Sequence, residues 1–340
     1  MTYSTPYLKV VGPGGEDMIT TWGSKLIGVK IIDRRDGESD EAIFMFTRKR
    51  PYMAIPGEGT PYTVHVGWSE GASAITGFYT FQKVRIFGNP KQGQQLHLIC
   101  RGADFIDQLK GIDSGHFDAE NGHKTLGDVF GSLFKGGAGK VQVHPDIAKR
   151  AIAGGYLLRW KQSVIDFAQE VAEENGAVVK PLDGRVLILK RGSGESASGQ
   201  TLPTIQMPFD DNYVFDFELE PRFAYQKVSA SYLDTDKGTL ENEEKGGGSG
   251  KAGDALPHPS ISKDAAKAAA EAAAQQWGQF TGHGLFTKIG DPLAVSGAPV
   301  QCSGFGTPID ETKWEAIVVT HDVIPDVGWH TTVETEVMTG

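Results

Sequence analysis

YLLRWKQSVIDFAQEVAEENGAVVKPLDGRVLILKR, residues 156–191, carries the densest structural signal in the chain. Ser163 is placed to cap a helix, with Asp166 at the third helical position, where a carboxylate suits the exposed backbone N–H groups. Val164, Phe167, Ala168, Val171 and Ala172 recur at three- and four-residue spacing and make one apolar face. Gly176, after Asn175, supplies the left-handed conformation that ends a helix. Two runs, Ala177–Leu182 and Arg185–Lys190, flank Asp183-Gly184, the strongest short hairpin signal a sequence offers. Pro181 has no N–H to give a ladder and belongs on an unpaired edge of that hairpin or at its end. The stretch predicts a helix laid on a β-hairpin.

Upstream, residues 1–103 read as β throughout. Tyr7–Val11, Leu26–Asp33, Ala42–Thr47, Tyr62–Trp68, Gly77–Phe87 and Gln94–Arg101 are short segments rich in β-branched and aromatic residues. Turn-forming stretches such as GPGGED, RRDGESD and GNPKQG separate them, and the regular spacing predicts an antiparallel barrel or sandwich. Trp22 and Trp68 are expected as core anchors rather than ligand contacts. From 104 to 192 the texture is mixed: a short helical turn at Asp104–Lys110, a helix capped by Thr125 and running to about Phe134, a strand at Val141–His144, then the helix and hairpin.

GSGESASGQ at 192–200 has the composition of a flexible linker. Strands resume at Tyr213–Leu219 and Tyr225–Leu233. A polar, Gly-rich excursion at 234–254 is expected to be a mobile loop, and an alanine-rich helix follows at 263–277, capped by Ser260 or Ser262. The chain closes with Leu285–Ile289, Pro299–Gly304, Trp314–Asp322 and His330–Val337. The expected class is α+β, mainly β. A first β unit (1–103) and a second (205–233 plus 285–340) frame a small α/β module (104–192), with the loop and helix (234–284) inserted in the second unit. The two β regions resemble one another in texture, a hint of internal duplication.

Composition narrows the function classes. A net charge of −10 argues against a nucleic-acid binder, whose affinity would come from Lys and Arg facing phosphates. No apolar run approaches the roughly 18–20 residues needed to span a bilayer, and MTYSTPYLKV lacks the basic start and apolar core of a secretory signal. Cys100 and Cys302 lie far apart in strand-like contexts and are expected as buried free thiols, consistent with a reducing cytoplasm.

The search for chemistry returns little. Nine histidines are scattered without His-Glu-x-x-His spacing, and no Cys-x-x-Cys supports zinc. His116 and His123 bracket FDAEN and read as solvated loop residues. GGAGKV at 136–141 fails as a phosphate loop, because Phe134 stands where the first glycine should be and Val141 replaces the magnesium-binding hydroxyl. Asp234-Thr-Asp236-Lys-Gly238 lacks the remaining ligands of a calcium loop and reads as a hairpin tip. No Gly-x-Ser-x-Gly elbow is read from the sequence. Arg48-Lys49-Arg50, the densest basic run, reads as a solvated strand end rather than an anion site. No catalytic, cofactor-binding or metal-binding residue, and no cofactor, is assigned from sequence.

The order of segments does carry a resemblance. Gly59-Thr60 precedes the strand Tyr62–Trp68 and then Gly77-Phe78-Tyr79-Thr80; Leu96–Cys100 leads into Arg101-Gly102-Ala103-Asp104-Phe105 and Leu109-Lys110. Thr125-Leu-Gly-Asp-Val129, Trp160–Phe167, Asn175-Gly-Ala177 and Asp183–Leu187 follow, and Gly290-Asp-Pro-Leu293, Trp314, His321 and His330-Thr-Thr332 lie near the end. In this order the chain resembles the phage late control D family, the baseplate hub proteins of contractile tails and tailocins, related to the hub part of type VI secretion spike proteins. Family members commonly place Glu-Ser-Asp at the helix start, where this chain has Ser163-Val164-Ile165-Asp166: the serine cap is kept and the acidic pair is not.

The resemblance implies a structural, non-enzymatic role. Three subunits form a ring, each giving two tube-like barrels, so a threefold object presents a pseudo-sixfold face. The implied partners are two further copies, the tail tube or a tube-initiator protein, the central spike, baseplate wedge proteins and the tape measure protein. A genome would pass the channel without specific binding. The implied location is the virion tail baseplate, assembled in the bacterial host cytoplasm. The readings from other classes are a tail-associated cell-wall hydrolase and a carbohydrate-binding β module.

Overall fold

The computed structural model describes residues 5–37, 39–70, 74–91, 93–102, 109–135, 140–182, 184–219, 227–246, 253–279, 282–325 and 327–338. The expected helical turn at Asp104–Lys110 lies largely outside these residues, as do 136–139 and 247–252.

The 156–191 unit folds as its sequence predicts. A helix spans Val164–Glu174, with the Ser163 hydroxyl accepting the Asp166 N–H at 3.1 Å. Gly176 turns the chain at φ 64°, a left-handed conformation that favours glycine. Strands Ala177–Leu182 and Arg185–Lys190 pair antiparallel, and the latter also pairs parallel with Lys140–Val143. Pro181 therefore sits in the edge strand of this three-stranded sheet. A second helix, Leu126–Leu133, begins in a capping box in which Thr125 and Asp128 each accept the other's backbone N–H. Phe117, Val129, Phe130, Ile147, Phe167, Val171, Val179 and Ile188 fill the module's core.

Two strands that the sequence did not announce, Ile112–Asp118 and Tyr156–Ser163, pair as a separate ribbon. Its register shifts opposite Ser114. There Lys161 adopts φ 50°, rare for a residue with a side chain, and donates its N–H to the Ser114 hydroxyl at 3.0 Å.

The rest is mainly β. The first region supplies β1 (Pro6–Val11), β2 (Leu26–Arg34), β3 (Glu41–Thr47), β4 (Pro61–Trp68), β5 (Ala74–Asn89) and β6 (Gly93–Arg101). After the module's strands β7 (Ile112–Asp118), β8 (Lys140–Val143), β9 (Tyr156–Ser163), β10 (Ala177–Leu182) and β11 (Arg185–Lys190), the second region supplies β12 (Ile205–Pro208), β13 (Phe215–Leu219), β17 (Gly282–Ile289), β18 (Pro299–Ser303), β19 (Trp314–Ile324) and β20 (Gly328–Val337). The two regions share one twelve-stranded sheet in the order β1-β4-β5-β6-β3-β2-β19-β20-β17-β13, with β18 alongside β19 and β12 alongside β18. Among the described residues neither region closes on itself. They are joined where β2 pairs antiparallel with β19.

The cores interlock at that seam. Trp22, Phe44, Phe46, Tyr62 and Phe81 fill the first core together with Val323 and Trp329 from the second region. Trp68 packs 5.1 Å from Trp329 and donates its indole N–H to the Gly290 carbonyl at 3.0 Å. Gly290 lies under the Trp329 ring, where a Cβ would approach to 2.1 Å. Both Trp22 and Trp68 are thus packing anchors, as read. Phe286, Trp314, Ile205, Val319 and Val333 form the second core.

Two expectations are corrected. The excursion at 234–254 is not a structureless loop: Thr239–Gly246 is a strand (β15) paired along its length with Lys227–Asp234 (β14), and Gly253–Ala255 (β16) pairs parallel on the other side. Charged side chains tolerate an exposed hairpin as readily as a loop, and the helix Lys263–Gln279 packs Ala266 and Ala270 against Ala230 and Tyr232 of β14. GSGESASGQ is not a free linker either. Its residues turn tightly, with Ser196 N–H donating to Gln200 at 2.8 Å, and Ala197 is buried. The small side chains serve close packing.

Candidate functional site

The sheet, the module and the 192–200 turn enclose a cavity of about 420 Å³. Its walls include Ile31, Ile75, Leu182, Leu187 and Leu202, and its polar end is a set of buried charges. Strand alternation explains how they arrive. Val179 faces the module core, so Lys180 faces the other way, into the sheet. Its ammonium, 6% exposed, pairs with Asp33 of β2, with Asp40 at 3.2 Å, and with the Ser296 hydroxyl at 3.1 Å. Ser296 in turn donates its N–H and hydroxyl to Asp33 at 2.8 and 2.6 Å.

Two carboxylates share one ammonium, and they do not share it equally. Burial opposes ionisation of Asp33, but Lys180 and the Ser296 donors prevail and hold its carboxyl below the usual range. Burial dominates at Asp40; Lys180 only partly offsets it, the Asp33 charge reinforces it, and the carboxyl is pushed up to about 7. A second network lies nearby: the buried Arg35 guanidinium meets Glu315 at 2.6 Å, Asp36 at 2.6 Å and Glu336 at 3.2 Å. Burial raises Glu315 to about 7 despite Arg35, and burial lowers His321 to about 4. The turn is anchored too: His144 Nδ1 accepts the Asp146 N–H, so Nε2 carries the proton that meets Glu195 at 2.9 Å.

Perturbed carboxylates in a cleft are a candidate site on physical grounds, but ion-pair networks shift them as well. Here the acid, its cation and the hydroxyl are all spent on one another, and they tie three units of the fold together. The arrangement suits a rigid junction more than a reacting centre. Sequence inspection missed it. The signals in the sequence are Lys180 interrupting AVVKPL and the charges of Asp33-Arg-Arg-Asp36 where a strand meets a turn.

The residues weighed from sequence stay apart. Arg48 lies 4.0 Å over the Tyr52 ring and bonds Gln94, with Lys49 and Arg50 exposed, as a strand end. His116 is exposed and stacks on Tyr156, whereas His123 packs edge-on to Phe117. Asp234 accepts the N–H groups of Asp236 and Lys237 at a hairpin turn. The reading that no Gly-x-Ser-x-Gly occurs is corrected: Gly67-Trp-Ser-Glu-Gly71 has those letters, but Gly67 and Trp68 end strand β4 and Gly71 is outside the described residues. Cys100 and Cys302 are buried free thiols, which burial pushes up to about 12. Among the described residues, no three His, Cys, Asp or Glu side chains gather as metal ligands would. No described helix is long and apolar enough to cross a membrane.

The other large feature is the face of the twelve-stranded sheet turned away from the cores. It carries Thr63, Thr80, Thr287, Thr320 and Thr332 with charged residues between them, together with Ile32, Ile43, Met45, Phe78 and Ile99, and among the described residues no tryptophan. The fold as a whole matches solved structures of phage tail proteins. Over 96% of the chain it matches the 43 kDa tail protein of prophage MuSo2 from Shewanella oneidensis, covering 97% of that chain, with a TM-score of 0.66 at 13% identity. No protein-family model matches. The sequence itself is 25% identical over 367 aligned positions to the probable baseplate hub protein of Escherichia phage 186, covering 95% of this chain and 90% of that protein. It is 26% identical over 219 residues to the probable baseplate hub protein of Escherichia phage P2, covering 64% of this chain and 54% of the relative, so the match spans about half of the P2 protein. The chain is a relative of the phage baseplate hub proteins, as the order of its motifs implied.

Proposed function

We infer that the chain is a structural baseplate hub, three copies of which form a ring that joins a tail tube to a central spike. The observation that carries this reading is the near full-length alignment with the hub protein of phage 186. Two β regions per chain give six β units in a trimer, which reconciles a threefold spike with a sixfold tube without breaking symmetry. In this reading the outward face of the large sheet lines the channel, and wedge proteins and the tape measure meet the ring. The chain has no catalytic role, and it resides in the tail baseplate after assembly in the host cytoplasm. The test is the mass of the purified protein in solution together with ring symmetry in negative-stain images. A trimer with six peripheral lobes is expected. A monomer at all concentrations, or peptidoglycan turnover lost on one Asp or Glu substitution, overturns the reading.

A further inference from the structure

Each charged side chain on the wall of the 420 Å³ cavity already has its counter-charge. Lys180 gives its three N–H groups to Asp33, Asp40 and the Ser296 hydroxyl, and an ammonium has no fourth. Arg35 meets Glu315, Lys190 meets Asp146, and Glu195 meets the Nε2–H of His144. His321 is kept neutral by burial and spends its Nδ1 on the Thr331 hydroxyl. An ionised guest would lose its water and find no spare partner, which is a heavy cost in a buried place. The cavity therefore selects against charge.

One polar group on the wall is unspent. Tyr79 is 6% exposed, and among the described residues its hydroxyl makes no hydrogen bond. Ile75, Gly77 and Tyr79 alternate along one face of β5, and the phenol ring lies over Gly77, where a Cβ would stand 2.5 Å from the hydroxyl oxygen. Burial, with the nearby Asp40 and Asp33 charges, pushes this hydroxyl's pKa up, so it keeps its proton and can donate as well as accept. The apolar wall is drawn from three parts of the fold: Ile31 and Ile75 from the sheet, Leu182 and Leu187 from the module, and Leu202 and Val295 from the chain beyond the 192–200 turn. The space equals roughly fourteen waters at ~30 Å³ each, and a buried water needs about two to four polar partners, which such walls do not supply. Its size is that of a site for a small organic molecule.

We propose that this cavity binds an uncharged small molecule with an apolar body and one hydroxyl, an alcohol or a phenol. The hydroxyl bonds to Tyr79, and the body lies between Ile31, Ile75, Leu187 and Leu202. Those walls belong to parts of the chain that otherwise meet through the Lys180 cluster, so the guest adds apolar contacts that hold the module to the sheet. The site is independent of the hub reading, because it needs only the folded chain.

The test is titration calorimetry and thermal melting of the full chain near neutral pH with three probes of one shape: para-propylphenol, propylbenzene and para-propylbenzoate. The phenol is expected to bind once per chain and to raise the melting temperature as its concentration rises. The benzoate, ionised at that pH, is expected to bind at least about tenfold more weakly. Tyr79→Phe should weaken the phenol about three- to tenfold, the worth of one hydrogen bond, and leave propylbenzene unchanged. Leu187→Trp fills the cavity and should abolish binding of both; if it does not fold, Tyr79→Phe and the three probes still decide the matter. Absence of saturable phenol binding overturns the site, and binding that survives in a folded Leu187→Trp chain overturns its location. A benzoate as tight as the phenol overturns the uncharged guest. A Tyr79→Phe chain that treats phenol and propylbenzene alike, changed or unchanged, overturns the role of the Tyr79 hydroxyl.

Discussion

The α/β module and the junction beside it are built in opposite ways. The module's core is apolar and local: Phe167, Val171, Val179 and Ile188 all come from one stretch, and cap, turn and hairpin are set by near neighbours. The junction is polar, and its partners are distant, Lys180 and Asp33 standing 147 positions apart and Arg35 and Glu315 280 positions apart. The first is made by burying area. The second is made by matching charges where the chain has little water to offer them. The difference teaches that local elements fix the parts of this protein, while a few long-range charge pairs fix how the parts meet.

That contrast is most directly broken at Lys180. Replacing it with Met keeps much of the volume and leaves Asp33 and Asp40 without their cation. Removal of one partner from a buried pair costs about 3–5 kcal/mol. Urea unfolding should show a lowered midpoint, or an early transition as the junction opens before the module melts. A loss under ~1 kcal/mol would mean the charges are already hydrated there.

Asp40→Asn sharpens the same point through pH. In the folded chain Asp40 keeps its proton up to about 7, against 3.8 for an ordinary aspartate. Between those values the native state therefore binds the extra proton, and this group's contribution to stability falls as pH rises. Asn mimics the protonated form and leaves Lys180 in a one-to-one pair with Asp33. Relative to wild type, the variant should gain on the order of 1–3 kcal/mol between pH 5 and pH 8. Glu315 and His321 titrate in both proteins and drop out of the comparison. A difference that does not change with pH would show Asp40 ionised throughout.

The smallest effect belongs to the local side. Ser163→Ala removes one helix cap, worth about 1 kcal/mol, and should lower the melting temperature without altering pH dependence. A change in pH profile would tie the helix start to the junction after all.

The sequence by itself determined the elements whose causes lie within a few residues. The Ser163 cap, the 164–174 helix, the Gly176 stop, the pairing of Ala177–Leu182 with Arg185–Lys190, the Thr125 capping box and most of the large sheet's strands appear where spacing and turn chemistry put them. The family resemblance was legible in their order. Only the tertiary structure decided what depends on distant partners. Ile112–Asp118 is a strand because Tyr156–Ser163 pairs with it, and Thr239–Gly246 because β14 does, although neither segment is apolar enough to announce itself. The 192–200 turn looks like a linker until His144 and the cavity wall hold it. Lys180, Asp33 and Asp40 are ordinary surface residues by composition, and burial alone changes their chemistry. Local propensity acts through the backbone's nearest neighbours, whereas charge pairing and strand pairing act through space, and the folded chain alone supplies those distances.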